Sequence, residues 1–180
     1  DGFIIYGGAP LGTEVMDIHG NKIWNTQELF MTHINDYGEL YGMMGGWQAG
    51  KINFYNQILW ESPGGIQFDS HETKQIQNGN YMAFVPTFQL GPIPLGDWTQ
   101  QFQDLGYAGD GLTNEFQWLG LRIVEFEKDT GEEVWSWNPF EHFTMDHYEN
   151  TVGWLWWNAW IEGFFDWMHS NSFHFDEEES

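Results

Sequence analysis

The stretch EVMDIHGNKIW, residues 14–24, carries the pattern on which the fold turns. It is a short alternating run, a polar turn at His19-Gly20-Asn21, then Ile23 and Trp24. Alternation is the two-residue period of a strand with one buried face, and glycine in the turn supplies the positive φ that tight hairpins need. The pattern returns as INFYNQILW at 52–60, turning at Tyr55-Asn56-Gln57. It returns again as IVEFEKDTGEEVW at 123–135, turning at Asp129-Thr130-Gly131-Glu132. Each copy reads as a β-hairpin with a Trp early in its second strand.

A second kind of hairpin lies between these. HETKQIQNGNYMAF, residues 71–84, turns at Asn78-Gly79-Asn80, and a weaker equivalent at 32–41 turns at Asp36-Tyr37-Gly38. A third copy, HSNSFHFD at 169–176, repeats the seven-residue spacing from His71 to Asn78 as His169 to Asp176. Two hairpins per repeat make four strands, and a repeat of roughly 40–50 residues with four strands is the signature of a β-propeller blade. Trp24 and Trp60 are 36 positions apart, but Trp60 and Trp135 are 75 apart. The excess is assigned to an inserted loop or lid at 86–119. A further insertion at 138–166, carrying Trp154, Trp156, Trp157 and Trp160, has room for a short helix.

The expected fold is therefore all-β, with about three four-stranded blades over residues 1–180: 1–48, 49–120 and 121–180. Propellers close with about four to eight blades, so the rest of the ring is expected from a longer chain or from partner chains. Residue 1 is Asp and no leader precedes the first strand, so any targeting segment is expected to lie outside these residues. The rival architecture is a β-sandwich of about 12 strands, which a Trp-anchored repeat fits poorly.

Composition narrows the functions. The chain has 180 residues, 27 acidic against 5 basic, and a formal net charge of −22. Nucleic-acid binding needs clustered Lys and Arg, and an anionic membrane surface would repel this chain. Twelve Trp and 19 % aromatic residues exclude disorder, and the lack of Cys excludes disulfides and thiolate metal sites. The most apolar stretch, 152–168, is 17 residues long and carries Asn158, Glu162 and Asp166, whereas a spanning helix needs about 20 mostly apolar residues.

The segments 17–24 (DIHGNKIW), 71–80 (HETKQIQNGN) and 166–172 (DWMHSNS) resemble the alternating hairpins and the D-W-x-H-x-N-S segment of the arylsulfotransferase family. The resemblance implies a six-bladed propeller, a periplasmic or extracellular location, and no cofactor. It also implies sulfuryl transfer from an aryl sulfate to a phenol. On this chain it assigns sulfuryl handling to His71, His169 and Asn171. The family's arginine and its transiently sulfated histidine match nothing within these residues and are expected elsewhere in a longer chain. The absence of Cys departs from the disulfide that secreted members often carry.

The residue types suit that chemistry. Sulfuryl transfer, like phosphoryl transfer, places charge on peripheral oxygens that need donors, while the phenols need a proton relay. Histidine does both near neutral pH, and asparagine adds a neutral donor. His169 and Asn171, two apart, would share one face of a strand, and blade symmetry would bring His71 and His169 to a common axis. The acidic residues are expected on the outer rim, away from the anion. Trp157 and Trp167 are candidate platforms for an aryl ring, and Trp24, Trp60 and Trp135 are read as blade core. His19 reads as a solvated turn residue, His33 and His174 as surface or packing residues. The group His142, Asp146 and His147 has no standard zinc spacing, and the acidic run at 176–179 lacks the pattern of a calcium loop, so no metal is expected. The alternative function is a non-catalytic extracellular propeller: glycan-binding, adhesive or filament-forming.

Overall fold

The computed structural model describes residues 2–8, 12–64, 66–145 and 154–176. It is built mostly of strands in antiparallel sheets. The first sheet has the order β1 (Phe3–Gly8), β2 (Gly12–Asp17), β3 (Lys22–Thr26). The second runs β4 (Phe30–Ile34), β5 (Leu40–Met44), β6 (Gln48–Ile52), β7 (Ile58–Glu61). The third has the order β11 (Glu133–Trp137), β10 (Asn114–Phe126), β9 (Tyr81–Pro92), β8 (Thr73–Gln75), with β12 (Phe165–Asp166) paired in parallel to β10. Among the described residues there are three helices: α1 (Thr99–Asp104), α2 (Pro139–His142) and α3 (Trp154–Glu162).

The hairpins form because their turns are capped by their own side chains. Asp17 Oδ1 accepts from the backbone N–H groups of His19 (2.8 Å) and Asn21 (2.9 Å). Asn35 does the same for Tyr37 and Glu39 (both 3.0 Å), and Asn53 for Tyr55 (2.9 Å) and Gln57 (3.1 Å). Three residues after each cap the backbone turns left-handed, at Gly20, Gly38 and Asn56. Only glycine, and to a lesser degree Asn or Asp, adopts that conformation cheaply. One local device is thus used three times, which is why the repeat is visible in the sequence.

The sheets are framed one hairpin away from the expected blades. The Trp hairpin ends each sheet, so the 32–41 hairpin joins the 52–60 hairpin instead of the 14–24 hairpin. At the crossover between β3 and β4 the buried Thr13 hydroxyl donates to the Leu29 carbonyl (2.7 Å) and accepts from Met31 N (3.0 Å), tying the start of β4 to β2.

The chain divides into two compact units. Unit 1 comprises Asp1–Val85, Ile123–Trp137 and Ser170–Ser180. Its cores are Leu29, Leu40, Met44 and Ile52 with Trp24, and Ala49, Phe68, Ala83, Val85, Val124 and Phe126 with Trp60. Two of the repeated Trp residues bind the following sheet: Trp24 Nε1 donates to the Phe54 carbonyl (2.9 Å), and Trp60 stacks on Tyr81 with ring centres 3.6 Å apart. Trp135 departs from the expected core role. It lies on β11, the last strand of its sheet, and is 47 % exposed because no further sheet among the described residues covers it.

Unit 2 comprises Pro86–Arg122 and Asn138–His169, closely the two stretches that the repeat leaves over. The first is not a loop or lid. It continues β9 to Pro92, forms α1, and begins β10. β8 pairs with β9 only over 81–83, so Pro86 lies where one side of β9 has lost its neighbour, a position that tolerates a missing N–H. The second stretch holds α2 and α3. Trp156 of α3 stacks on Phe165 with ring centres 4.0 Å apart, and both are buried with Trp98, Phe102, Phe116 and Trp118. Removing an aromatic side chain from such a core costs about 3–5 kcal/mol. Among the described residues, no helix is long and apolar enough to cross a membrane.

Candidate functional site

Residues 167–176 have no regular strand, although a hairpin was expected there. His169 takes a left-handed conformation, φ 40°, which breaks the extended run. His169 and Asn171 therefore do not share a strand face. A non-glycine residue held at positive φ costs about 1–3 kcal/mol and recurs where side chains are aimed for function.

The Asp166–His169 pair belongs to unit 2. Backbone pairing places the aspartate: Trp118 is opposite Phe165 and Leu119 opposite Asp166, and Trp167 N donates to the Leu119 carbonyl (3.1 Å). Asp166 Oδ2 then meets His169 Nδ1 in a short hydrogen bond. Both line a cavity of about 300 Å³, closed by Leu155, Asn158, Ala159 and Glu162 from α3 and by Phe164. The α3 residues follow the i, i+3, i+4, i+7 spacing of one helix face. The wall is apolar, with amide, carboxylate and imidazole groups at its polar points.

In unit 1, His71 Nδ1 lies 2.5 Å from Asp69 Oδ1, which also accepts from His71 N (2.9 Å). Asp69 is itself anchored, its N–H donating to the Phe84 carbonyl of β9 (3.0 Å). The next residue makes a longer connection. Glu72 Oε2 accepts from Phe173 N (2.6 Å), and Glu72 Oε1 meets Lys74 Nζ (3.0 Å). Lys74 Nζ donates to the Phe173 carbonyl (2.6 Å) and lies 4.3 Å from the centre of its ring. Phe173 also packs edge-on against Phe84. Both backbone groups of Phe173 are thus held by one Glu–Lys pair. This ties the segment carrying Asn171 to the start of the 71–84 hairpin, 101 positions away.

Both expected histidines have a carboxylate at Nδ1. Such a partner orients the ring and keeps a proton on Nδ1, so the neutral ring presents Nε2 as its basic nitrogen. This revises the expectation that acidic residues stand apart from the site: Asp69 and Asp166 touch both imidazoles, and Glu162 lines the cavity beside His169. Asp69 was not singled out from sequence, although its two-residue spacing from His71 is that of a side chain capping its own turn. The α3 face was hidden by the Trp residues interleaved with it.

The two candidate aryl platforms are placed differently. Trp167 stacks on Phe140 (centres 5.1 Å apart) and meets Trp118 edge-on, as part of the packing of unit 2. Trp157 is exposed on α3. Neither lines the cavity beside His169. Asn171 is exposed in unit 1, and His174 is also exposed, in irregular chain. Of the residues weighed for a metal, Asp146, His147 and Glu177 to Glu179 lie outside the described residues. Among the described residues, no three His, Asp or Glu side chains cluster as metal ligands. Comparison with protein-family models and with curated proteins returns no match for this chain.

Proposed function

We propose that this chain is about three blades of an arylsulfotransferase-like propeller and carries part of its sulfuryl-transfer site. The observation that supports the reading is that His71 and His169, assigned by resemblance alone, each hold an aspartate at Nδ1. Within unit 1, the tie from Glu72 and Lys74 to Phe173 adds that the segment carrying Asn171 is fixed to the start of the 71–84 hairpin.

In the first half-reaction the bond between sulfur and the aryl oxygen breaks, and a bond forms between sulfur and a nucleophilic histidine outside these residues. The phenolate leaves and takes a proton from an imidazolium. In the second half-reaction a phenol loses its proton to an imidazole and its oxygen attacks sulfur, releasing the nucleophile. His169, oriented by Asp166, serves as the proton carrier, because its Nε2 can accept or donate depending on charge. Asn171 donates to the sulfuryl oxygens through its side-chain amide, and His71 through Nε2 when its ring is the imidazolium. The wall of Leu155, Ala159 and Phe164 gives a phenol ring an apolar surface.

The test is release of nitrophenol from para-nitrophenyl sulfate by the full-length protein, with a phenol acceptor present. His169→Ala is expected to lower turnover by about 10²–10⁴-fold, the contribution typical of a general acid–base group. Absence of release, or release that His169→Ala leaves unchanged, refutes the assignment.

A further inference from the structure

A second cavity, of about 410 Å³, lies within unit 1 and is distinct in composition from the one beside His169. Its lining comes from two sheets: His33, Asn35, Tyr37 and Tyr41 from the β4–β5 hairpin, and Gln75 and Gln77 from the β8–β9 hairpin, with Ile76 as its aliphatic side chain. No carboxylate lines it, although 27 of the 180 residues are acidic.

The wall is held rigid from behind. Lys51 is 8 % exposed, and its Nζ lies 3.1 Å from Gln75 Oε1 and 3.4 Å from Glu39 Oε2. The same ammonium faces the rings of Tyr41 and Tyr81, 5.6 and 5.7 Å from their centres. Gln75 Nε2 donates to the Gly79 carbonyl (2.8 Å), and Tyr41 OH donates to Glu39 Oε2 (3.3 Å). Lys51 is matched by Glu39, so no uncompensated charge faces the cavity. At the rim stands Tyr37, 90 % exposed, on a turn whose backbone is fixed by Asn35.

We infer that this cavity binds a neutral saccharide. Phenol faces cover the C–H face of a sugar ring, while planar amides, phenol hydroxyls and an imidazole meet its hydroxyl groups, which both donate and accept. An ionic ligand would find no opposite charge in the lining. An apolar one would meet Ile76 as the one aliphatic side chain in a lining otherwise polar and aromatic. The volume lies at the small end of the ~300–1,000 Å³ of ligand sites. Tyr37 supplies stacking surface, and its exposure means that its removal disturbs no packing.

The experiment is isothermal titration of the protein with four neutral trisaccharides: cellotriose, maltotriose, chitotriose and galactotriose. A galacturonic acid trisaccharide and a glucosamine trisaccharide form the charged arms. Saturable binding of at least one neutral arm is expected, weakened about tenfold or more by Tyr37→Ala, a change of about 1.4 kcal/mol. Tyr37→Phe, which keeps the ring, should retain most of the affinity. Circular dichroism checks that both variants are folded. Absence of binding by all four neutral arms, tighter binding of a charged arm, or unchanged affinity in Tyr37→Ala overturns the inference. Binding is read without turnover, so the result is independent of sulfuryl transfer.

Discussion

Glu72→Ala removes one half of the clamp on Phe173. Two contacts disappear: the 2.6 Å bond from Phe173 N and the 3.0 Å ion pair with Lys74. A hydrogen bond to a charged group contributes about 1.5–3 kcal/mol. Glu72 and Lys74 are partly buried but not sealed from water, which places the value at the low end, about 1.5–2 kcal/mol. Lys74 still holds the Phe173 carbonyl and ring, so residues 170–176 loosen without leaving. The loss is local, because the cores of unit 1 do not include this segment. Native-state hydrogen exchange reads it directly: about 1.4 kcal/mol per tenfold makes the Phe173 amide exchange about 10–30-fold faster. Amides in β5 and β6 should keep their wild-type rates. Lys74→Met, which leaves the Phe173 N–H bond in place, should accelerate the same amide less. An unchanged Phe173 exchange rate in Glu72→Ala, or equal acceleration throughout unit 1, would refute the reasoning.

Two further predictions concern the fold. The Asp17 carboxyl is held below its ordinary pKa by the side-chain amide and backbone N–H of Asn21, so its stabilisation is present above the unfolded value near 3.9 and is lost as pH falls through the lower folded value. Asp17→Asn should preserve the turn, since Asn35 and Asn53 cap the equivalent turns. Thermal midpoints measured from pH 7 to pH 2 should therefore fall less steeply in the variant below about pH 4; parallel curves would count against the role of the carboxylate. At Gly42, paired with Gly50 across β5 and β6, an added Cβ would come within 1.9 Å of the Phe30 carbonyl oxygen. Backbone cannot yield as a side chain can, so Gly42→Ala is expected to cost about 3 kcal/mol, the top of the usual overpacking range, in urea unfolding.

The hairpins were legible in the sequence because everything that makes them is local. Asp17, Asn35 and Asn53 cap turns within their next four residues, a left-handed residue follows at Gly20, Gly38 and Asn56, and alternation sets the faces. The stretches 86–119 and 138–166 stood out as lengths by which the repeat spacing is exceeded, but the strand and helix content of the first was not read. Which hairpins share a sheet was not legible, since it is set by pairing between strands of different hairpins, as β5 with β6, which no local turn encodes. Strand β12 is only two residues long and is placed by its parallel pairing to β10, so no periodicity announces it.

The candidate site divides along the same line. His71 and His169 were singled out by resemblance, and the aspartate that each one meets lies within three residues of it in the chain. What tertiary structure alone decided is how those pairs are held. Leu119 sets the position of Asp166 and Phe84 that of Asp69, while Glu72 and Lys74 capture Phe173. Local sequence determines turns through backbone strain and short-range hydrogen bonds. Segments without periodicity, such as 167–176, take whatever conformation their distant partners select.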